Sequence, residues 1–153
     1  WWGGKHNNYE GATRVPLIVS APGMKAAGKH SAALVELIDL YPTLAELAGL
    51  PAAEDVEGTS FAPLLSDPAR SWKTAAFSCY PKGGNLGIAM RTDRYRYVEW
   101  KDKNGELMAR ELYDHEIDPE ENQNLAEQPE QQELLEQLAA QLAAGWRGAV
   151  PKE

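Results

Sequence analysis

The densest group of residues able to do chemistry lies in the first fourteen positions of the chain. Loops that lead into a central sheet are where functional sites are usually built. A lysine ammonium is a compact positive charge that can bind an anionic oxygen, and an adjacent histidine can donate a proton. The same residue types also fit a solvated loop with one Glu10–Arg14 ion pair, so both interpretations stay open. The polar side chains of this segment are Lys5, His6, Asn7, Asn8, Tyr9, Glu10 and Arg14.

Two later segments offer weaker candidates. Tyr80, Lys82 and Asn85 place an aromatic ring and a cation between two predicted strands. Such a loop can line a pocket for an anionic sugar, or it can be a simple hairpin loop. The acidic run over residues 114–121 has the oxygens that calcium prefers, but it lacks the glycine spacing of calcium loops. A solvated acidic turn is therefore the favoured interpretation of that run.

Composition and charge narrow the class of function. The 153 residues are 43% hydrophobic and 25% charged, which is typical of a folded globular protein. The net charge of -8 argues against a nucleic-acid partner, because neutralising phosphates requires a basic face. No apolar run has the length of a membrane span. The one cysteine, Cys79, excludes an internal disulfide and is predicted to be a buried or pocket-rim thiol, and His30 and His115 are predicted at the surface.

The first half of the chain predicts one strand and helices. Residues 15–21 form an apolar run that ends at Pro22-Gly23, which is typical of a buried strand. Residues 31–40 are largely apolar, with Leu34, Leu37 and Ile38 on one helical face, although the start of this segment could also be a strand. A clearer helix begins around Pro42 and ends at Gly49. A short helical turn follows over residues 60–65. Because one strand cannot complete an α/β layer, it is expected to belong to a larger sheet.

From residue 72 the pattern changes to short segments rich in aromatic and other strand-forming residues. Residues 75–80, 87–92, 95–100 and 107–113 are separated by turns, which predicts an antiparallel meander. A leucine stripe predicts a helix from about 129 to 146. The fold class is therefore α+β. We expect residues 1–71 to be the end of a larger α/β domain and residues 72–153 to be a subdomain with a small antiparallel sheet and a closing helix.

Six spaced motifs run in order along nearly the whole chain. They are Gly4-Lys5-x-x-x-Tyr9-Glu10-Gly11-x-x-Arg14-x-Pro16 with Ala21-Pro22-Gly23, Leu40-Tyr41-Pro42-Thr43-Leu44, Glu57-Gly58-x-Ser60-Phe61-x-Pro63-Leu64-Leu65, Met90-Arg91-Thr92-x-x-Tyr95-Arg96-Tyr97, Glu111-Leu112-Tyr113-Asp114, and Asp118-Pro119-x-Glu121-x-x-Asn124-Leu125-Ala126. Together they resemble the C-terminal portion of the type I, formylglycine-dependent sulfatases. Tyr80-Pro81-Lys82 is most similar to the iduronate-2-sulfatase group. The resemblance implies the C-terminal part of an alkaline-phosphatase-like α/β sulfatase fold, in which residues 1–71 would be the end of the catalytic α/β domain.

The resemblance also implies roles for the candidate residues. A lysine at the Lys5 position binds a sulfate oxygen in such enzymes, which fits the charge that builds on those oxygens as the S–O bond breaks. His6 lies beside it and could reach the substrate, or it could be a surface histidine. Tyr80 and Lys82 match a region that contributes to substrate recognition in iduronate-type enzymes. Glu10 is expected to pair with Arg14 and hold the loop against the sheet. The implied substrate is a sulfate ester on a sulfated polysaccharide.

Two parts of that family's machinery have no counterpart in this sequence. The family makes its formylglycine nucleophile from a Cys or Ser in a Cys/Ser-x-Pro/Ala-x-Arg motif, and acidic and amide side chains hold a calcium ion. Cys79-Tyr80-Pro81-Lys82-Gly83 has glycine where that motif requires arginine. The start at Trp1, in mid-motif, predicts a longer product whose N-terminal catalytic domain supplies the nucleophile and the metal ligands. The chain alone is then expected to be inactive, and the family implies a periplasmic or secreted location.

Two other functions stay open on the sequence. A phosphatase or phosphonate hydrolase of the same fold would use related chemistry, although the Lys5, Tyr9 and Glu10 pattern favours a sulfatase. A non-catalytic binding module built on the small sheet is the second alternative, and the start at Trp1 argues against it. The exposed edge of an unfinished sheet predicts poor solubility of the isolated chain.

Overall fold

The computed structural model describes residues 6–51 and 54–151. The chain divides into two compact units. The first unit holds the residues up to Pro16 together with Ala75–Ala149, and the second holds Leu17–Thr74 with the residues from Val150 onward. The two functional roles expected for residues 1–71 and 72–153 stay a prediction.

The first unit is built on a four-stranded antiparallel sheet. Its strands are β1 Ala76–Lys82, β2 Asn85–Arg91, β3 Tyr95–Lys101 and β4 Leu107–Asp114, in the spatial order β1-β2-β3-β4. Each strand therefore pairs with its neighbour in sequence, and the predicted meander is confirmed. β1 and β4 are the edges of this sheet.

Turn chemistry sets the register of the first hairpin. Lys82 pairs with Asn85, so the loop between β1 and β2 is the two residues Gly83 and Gly84. Their φ angles are 60° and 87°. Positive φ at both central residues matches the tight hairpin turns whose twist fits that of the strands, and glycine adopts it without a steric cost.

A closing helix packs on the sheet, as the leucine stripe predicts. The helix α3 spans Gln132–Ala149 and follows a 3-10 turn at Pro129–Gln131. Its side chains Leu135, Leu138 and Leu142 are buried in one core cluster with residues of the sheet such as Tyr97 and Leu112. Each fully buried leucine contributes on the order of 1.5–3 kcal/mol to folding, so this face holds the helix on the sheet.

The second unit is organised around a buried ion pair. A 3-10 turn at Leu37–Asp39 leads into the helix α2, Leu40–Leu47, and a second 3-10 turn spans Ala62–Leu65. The Lys73 ammonium lies 2.7 and 2.8 Å from the two carboxylate oxygens of Asp39, which is fully buried. Asp39 also accepts the backbone N–H of Glu36 and of Thr59, so one carboxylate ties three segments together.

Two predictions for this unit are corrected. Residues 31–36 are not helical, because the helix begins only where the Asp39 carboxylate accepts the Glu36 N–H and caps the 3-10 turn. Residues 15–21 form no strand within the described part of the chain. A strand needs a neighbour to accept its backbone hydrogen bonds, and no described segment pairs with this one. The larger sheet to which this segment is expected to belong stays a prediction. Ile18 in this run is 92% exposed.

None of the helices in the described ranges combines the length and the apolar character needed to cross a bilayer.

Candidate functional site

The loop that carries the sequence candidates belongs to the first unit. The described part begins at His6, so Lys5 lies outside the described residues. An Asx-type turn opens the loop, because Tyr9 N–H donates to Asn7 Oδ1 at 2.9 Å. The helix α1 follows as a single turn, Glu10–Thr13, with no buried residue and no side-chain cap at its start. A helix this short has almost no stability of its own, so contacts with the sheet must set its position.

One such contact is a buried amide on the second strand. Asn8 is only 3% exposed, and its Nδ2 donates to the Gly87 carbonyl at 3.1 Å. Gly87 makes this approach possible, because a Cβ there would lie 2.5 Å from Asn8 Nδ2 and 2.9 Å from two Trp100 ring atoms. The Tyr9 ring meets the Tyr113 ring edge-on, with centroids 5.7 Å apart. The loop therefore rests on β2 and β4.

The second contact is a group of charged residues that we call the anchor cluster: Glu10, Arg91, Arg96, His115 and Glu121. Arg91 and Arg96 are direct cross-strand partners on β2 and β3, so their side chains leave the same face of the sheet. Two like charges in that position repel one another unless an anion lies between them. Glu10 supplies this anion, because its Oε2 accepts from Arg91 Nε at 3.3 Å and also from Arg96 Nη2.

Glu121 completes the cluster from the turn beyond β4. Its Oε1 accepts from Arg96 Nε and lies 2.7 Å from His115 Nε2. Its Oε2 accepts the Glu10 backbone N–H at 2.7 Å. The Arg96 and Glu121 side chains are 2% and 3% exposed. The cluster thus joins the start of α1 to two strands and a turn through charge-assisted hydrogen bonds, which are about twice as strong as neutral ones.

The charges of the cluster also set the protonation of Glu10. Burial alone would raise the pKa of the Glu10 carboxyl, but the Arg91 and Arg96 guanidinium groups and the Arg96 hydrogen bond outweigh burial, so the pKa lies below its usual value. Glu10 is therefore ionised at neutral pH. Two carboxylates then face two guanidinium groups.

The cluster does not suit the calcium ion that sulfatase resemblance implies. Among the described residues, Glu10, His115 and Glu121 form a group with ligand atoms within 4.8 Å of one another. Calcium takes six to eight oxygen ligands, whereas one of these ligands is an imidazole. The carboxylate oxygens already accept from Arg96, whose guanidinium supplies the local positive charge. No step of the chemistry is therefore assigned to a metal at this cluster.

The structure brings one pair of predicted substrate residues together. The His6 ring lies against the Tyr80 ring, with centroids 6.1 Å apart and a tilt of 56°. Tyr80 and Lys82 belong to strand β1 itself, not to a loop between strands. They are two residues apart, so they point to the same face of the sheet, with Lys82 exposed. Cys79 alternates with them and is exposed, which corrects the buried alternative for this thiol.

Several other expectations are corrected by the cluster. His115 is not a surface histidine, because its side chain is buried against Glu121. The predicted Glu10–Arg14 pair is present at 3.5 Å, but the Arg14 side chain is 79% exposed. Arg91 and Arg96, not Arg14, hold Glu10 against the sheet. Arg96 and Glu121 stand in the fourth and sixth motifs, but their pairing with Glu10 spans separations of 86 and 111 residues, which no local pattern reveals.

The acidic run also differs from a solvated turn. Asp114 is buried and receives a two-pronged contact from Arg94, at 2.9 and 2.6 Å. That hydrogen bonding holds the pKa of the Asp114 carboxyl below its usual value. Asp118 accepts the Gln123 N–H at 2.8 Å and closes the turn. Only part of the run, including Glu116 and Glu120, is exposed to solvent.

Comparisons with known proteins agree with this architecture. The family model of the N-sulphoglucosamine sulphohydrolase C-terminal region matches residues 1–147. Arylsulfatase K of Gallus gallus is 33% identical over 135 residues, which cover 80% of this chain and 24% of that protein. The chain thus spans about a quarter of the length of the curated relative.

Solved structures extend the likeness to three dimensions. A protein solved in complex with its substrate, D-glucosamine-2-N,6-O-disulfate, superposes with a TM-score of 0.80 at 26% identity, over 92% of this chain and 29% of that one. The phosphonate monoester hydrolase of Silicibacter pomeroyi superposes with a TM-score of 0.77 at 29% identity, over 92% of this chain and 30% of that one. With the family match over residues 1–147, the chain belongs to the sulfatase family, as a member of its N-sulphoglucosamine sulphohydrolase C-terminal group.

Proposed function

We propose that this chain is the C-terminal part of a sulfuric ester hydrolase that acts on sulfated glycans. The observation that carries the proposal is the family match over residues 1–147. The sugar is suggested by a relative that was solved with a sulfated glucosamine as its substrate. A closer kinship with the iduronate-2-sulfatase group is part of the proposal and depends on Tyr80-Pro81-Lys82 alone.

In this proposal Lys5 binds a sulfate oxygen, and His6, Tyr80 and Lys82 contact the sugar or its sulfate. Three features support the assignment. His6 directly follows Lys5 and lies against Tyr80. Tyr80 and Lys82 share one face of β1, so an aromatic ring and a cation are presented side by side. The loop next to Lys5 is fixed to the sheet at Asn8 and at Glu10, and a fixed loop keeps a binding group in place at little entropic cost.

The remaining machinery is proposed to lie in residues outside this sequence. These would be the formylglycine nucleophile and the ligands of a calcium ion, both on an N-terminal catalytic domain that packs with this chain. The chain alone would then be inactive on sulfate esters. Residues 1–71 would complete the catalytic domain, and residues 72–153 would form the C-terminal subdomain. A periplasmic or secreted location follows if the substrate is an extracellular glycan.

The test is a sulfatase assay on the full-length protein, using an aryl sulfate and sulfated disaccharides. Lys5→Ala should lower kcat/KM by about 100-fold or more, because removing one charge-stabilising donor in an active site typically has that effect. Lys29→Ala, in an exposed loop, is the matched control and should leave kcat/KM unchanged. Equal activity of the Lys5→Ala variant and the wild type would remove Lys5 from the site.

A phosphonate monoester hydrolase is the second candidate, and the likeness to the Silicibacter pomeroyi enzyme favours it. The two functions differ in the central atom of the substrate, and both use a cation to bind an anionic oxygen. Assaying the same preparations on an aryl phosphonate monoester separates them. A kcat/KM for the phosphonate well above that for every sulfate ester would replace the sulfatase proposal.

A further inference from the structure

We propose that Glu121 is a positioning residue for the loop that begins at His6, acting through Glu10 and Arg96. The proposal rests on the proposed function, because the loop matters for catalysis only if Lys5 and His6 contact the substrate. Glu121 is distant from these residues in sequence, and its side chain touches the loop only through the Glu10 backbone and the anchor cluster.

The first argument is the number of segments that one carboxylate joins. Glu121 Oε2 accepts the Glu10 N–H at the start of α1. Glu121 Oε1 accepts from Arg96 on β3 and contacts His115 just beyond β4. The side chain is almost completely buried, so water cannot replace these contacts. Removing this carboxylate would leave Arg96 Nε and the Glu10 backbone N–H without the acceptor that they have here, which is the costly case for buried polar groups.

The second argument is that α1 has little stability of its own. The helix is one turn long and buries no side chain. Arg96 Nη2 donates to Glu10 at its start and to Thr13 Oγ1 at its end, the latter at 3.1 Å. Arg96 in turn is oriented by Glu121. The position of the turn therefore depends on Glu121, in addition to the Asn8 and Tyr9 contacts before the turn and the Arg91 contact with Glu10.

The third argument is the backbone of Glu121. Its φ is 57°, in the left-handed region that is sterically unfavourable for residues with a Cβ. Glycine or asparagine adopts this conformation more readily than glutamate. Among the described residues other than glycine, only Asp55 shares a positive φ. A glutamate held in an unfavourable conformation indicates that its carboxylate is needed at that place.

The experiment compares Glu121→Gln and Glu121→Asn in the full-length protein, with Glu120→Gln as the matched control on an exposed neighbour. Glutamine keeps the length and removes the charge, and asparagine relieves the backbone while it shortens the side chain. The readouts are kcat, KM and the inhibition constant of inorganic sulfate, together with hydrogen exchange of the amides of residues 9–14. The inhibition constant is independent of the fraction of folded enzyme, so a loss of stability alone does not change it.

We expect both Glu121 variants to weaken inhibition by sulfate about 10-fold and to lower kcat/KM by about 10–100-fold, since one lost charge-assisted hydrogen bond corresponds to a change of that size. Exchange at residues 9–14 should become faster, and Glu120→Gln should match the wild type. If Lys5→Ala weakens sulfate inhibition and neither Glu121 variant does, the positioning role is wrong and the sulfatase proposal stands. If the wild type cleaves no sulfate ester, the proposed function is wrong. If hydrogen exchange at residues 9–14 is as slow in both Glu121 variants as in the wild type, Glu121 does not hold α1 in place.

Discussion

Gly87 offers the sharpest test of how the loop that begins at His6, the site loop, packs on the sheet. Gly87→Ala adds one methyl group to a position with no room for it. The added Cβ would lie 2.5 Å from Asn8 Nδ2 and 2.9 Å from Trp100 Cη2 and Cζ3, closer than the 3.0 Å below which real Cβ contacts essentially do not occur. Because β2 is paired on both sides, the strand cannot move away. The Asn8 side chain and the Trp100 ring must both shift.

Two effects contribute to the loss in free energy of unfolding that Gly87→Ala should cause. Overpacking a close-packed site by one methyl group destabilises a protein by about 1–3 kcal/mol. Displacing Asn8 also breaks its hydrogen bond to the Gly87 carbonyl, which contributes about 0.5–1.5 kcal/mol. We therefore expect a loss of about 1.5–4.5 kcal/mol in the free energy of unfolding, with its local effect at residues 6–9.

The assay is urea unfolding followed by tryptophan fluorescence, with hydrogen exchange to locate the change. Gly11→Ala is the matched control, because a Cβ at Gly11 in α1 meets no atom within 4 Å. That variant should be neutral or slightly stabilising, since alanine favours the helix over glycine. If Gly87→Ala lowers the free energy of unfolding by less than about 0.5 kcal/mol and leaves hydrogen exchange at residues 6–9 unchanged, Asn8 does not pack on β2 as described.

Two further predictions concern charge. Lys73→Met should lower the free energy of unfolding by about 3–5 kcal/mol, because it leaves the fully buried Asp39 carboxylate without its cation. Adding Asp39→Asn to that variant should recover part of the loss. A loss below about 1 kcal/mol in the Lys73→Met variant alone would contradict the buried ion pair. Acid should destabilise the first unit, because the pKa values of Glu10 and Asp114 are lowered in the folded state. The unfolded chain then binds more protons, so their contribution is present above the ordinary values of 4.5 and 3.8 and is lost as the pH falls through the folded pKa values. Unfolding free energies measured between pH 7 and 3 should fall at the acid end, and Glu10→Gln should reduce the slope; an unchanged slope in that variant would contradict the role of Glu10.

The elements of the first unit follow closely from local patterns. The glycine pair at 83 and 84 specifies a tight turn because both residues need positive φ, and the strands on either side then pair in one register. The leucine stripe at Leu135, Leu138 and Leu142 predicts a helix with one buried face, and that face enters the core. In the second unit, a local pattern also predicts the helix α2 and its end at Gly49, where φ is 68°.

Local patterns are insufficient where a residue or segment depends on contacts that form only when the chain folds. Residues 15–21 have the composition of a buried strand, but a strand exists only with a neighbour to pair with, and the described residues provide none. His115 has no evident partner in the sequence, yet it is buried against Glu121 once the turn after β4 folds back. Composition cannot reveal such contacts, because it does not specify how the backbone folds.

The sequence by itself determined the family, the meander and the closing helix, because those features are encoded in motifs, turns and periods of a few residues. Only the tertiary structure decided how the site loop is held. The pairing of β2 with β3 sets Arg91 opposite Arg96, and this pair of like charges requires an anion. Glu10 supplies this anion, although it lies 81 residues before Arg91 and 86 residues before Arg96 in the sequence. Strand register is a property of the folded sheet, and the anchor cluster follows from it.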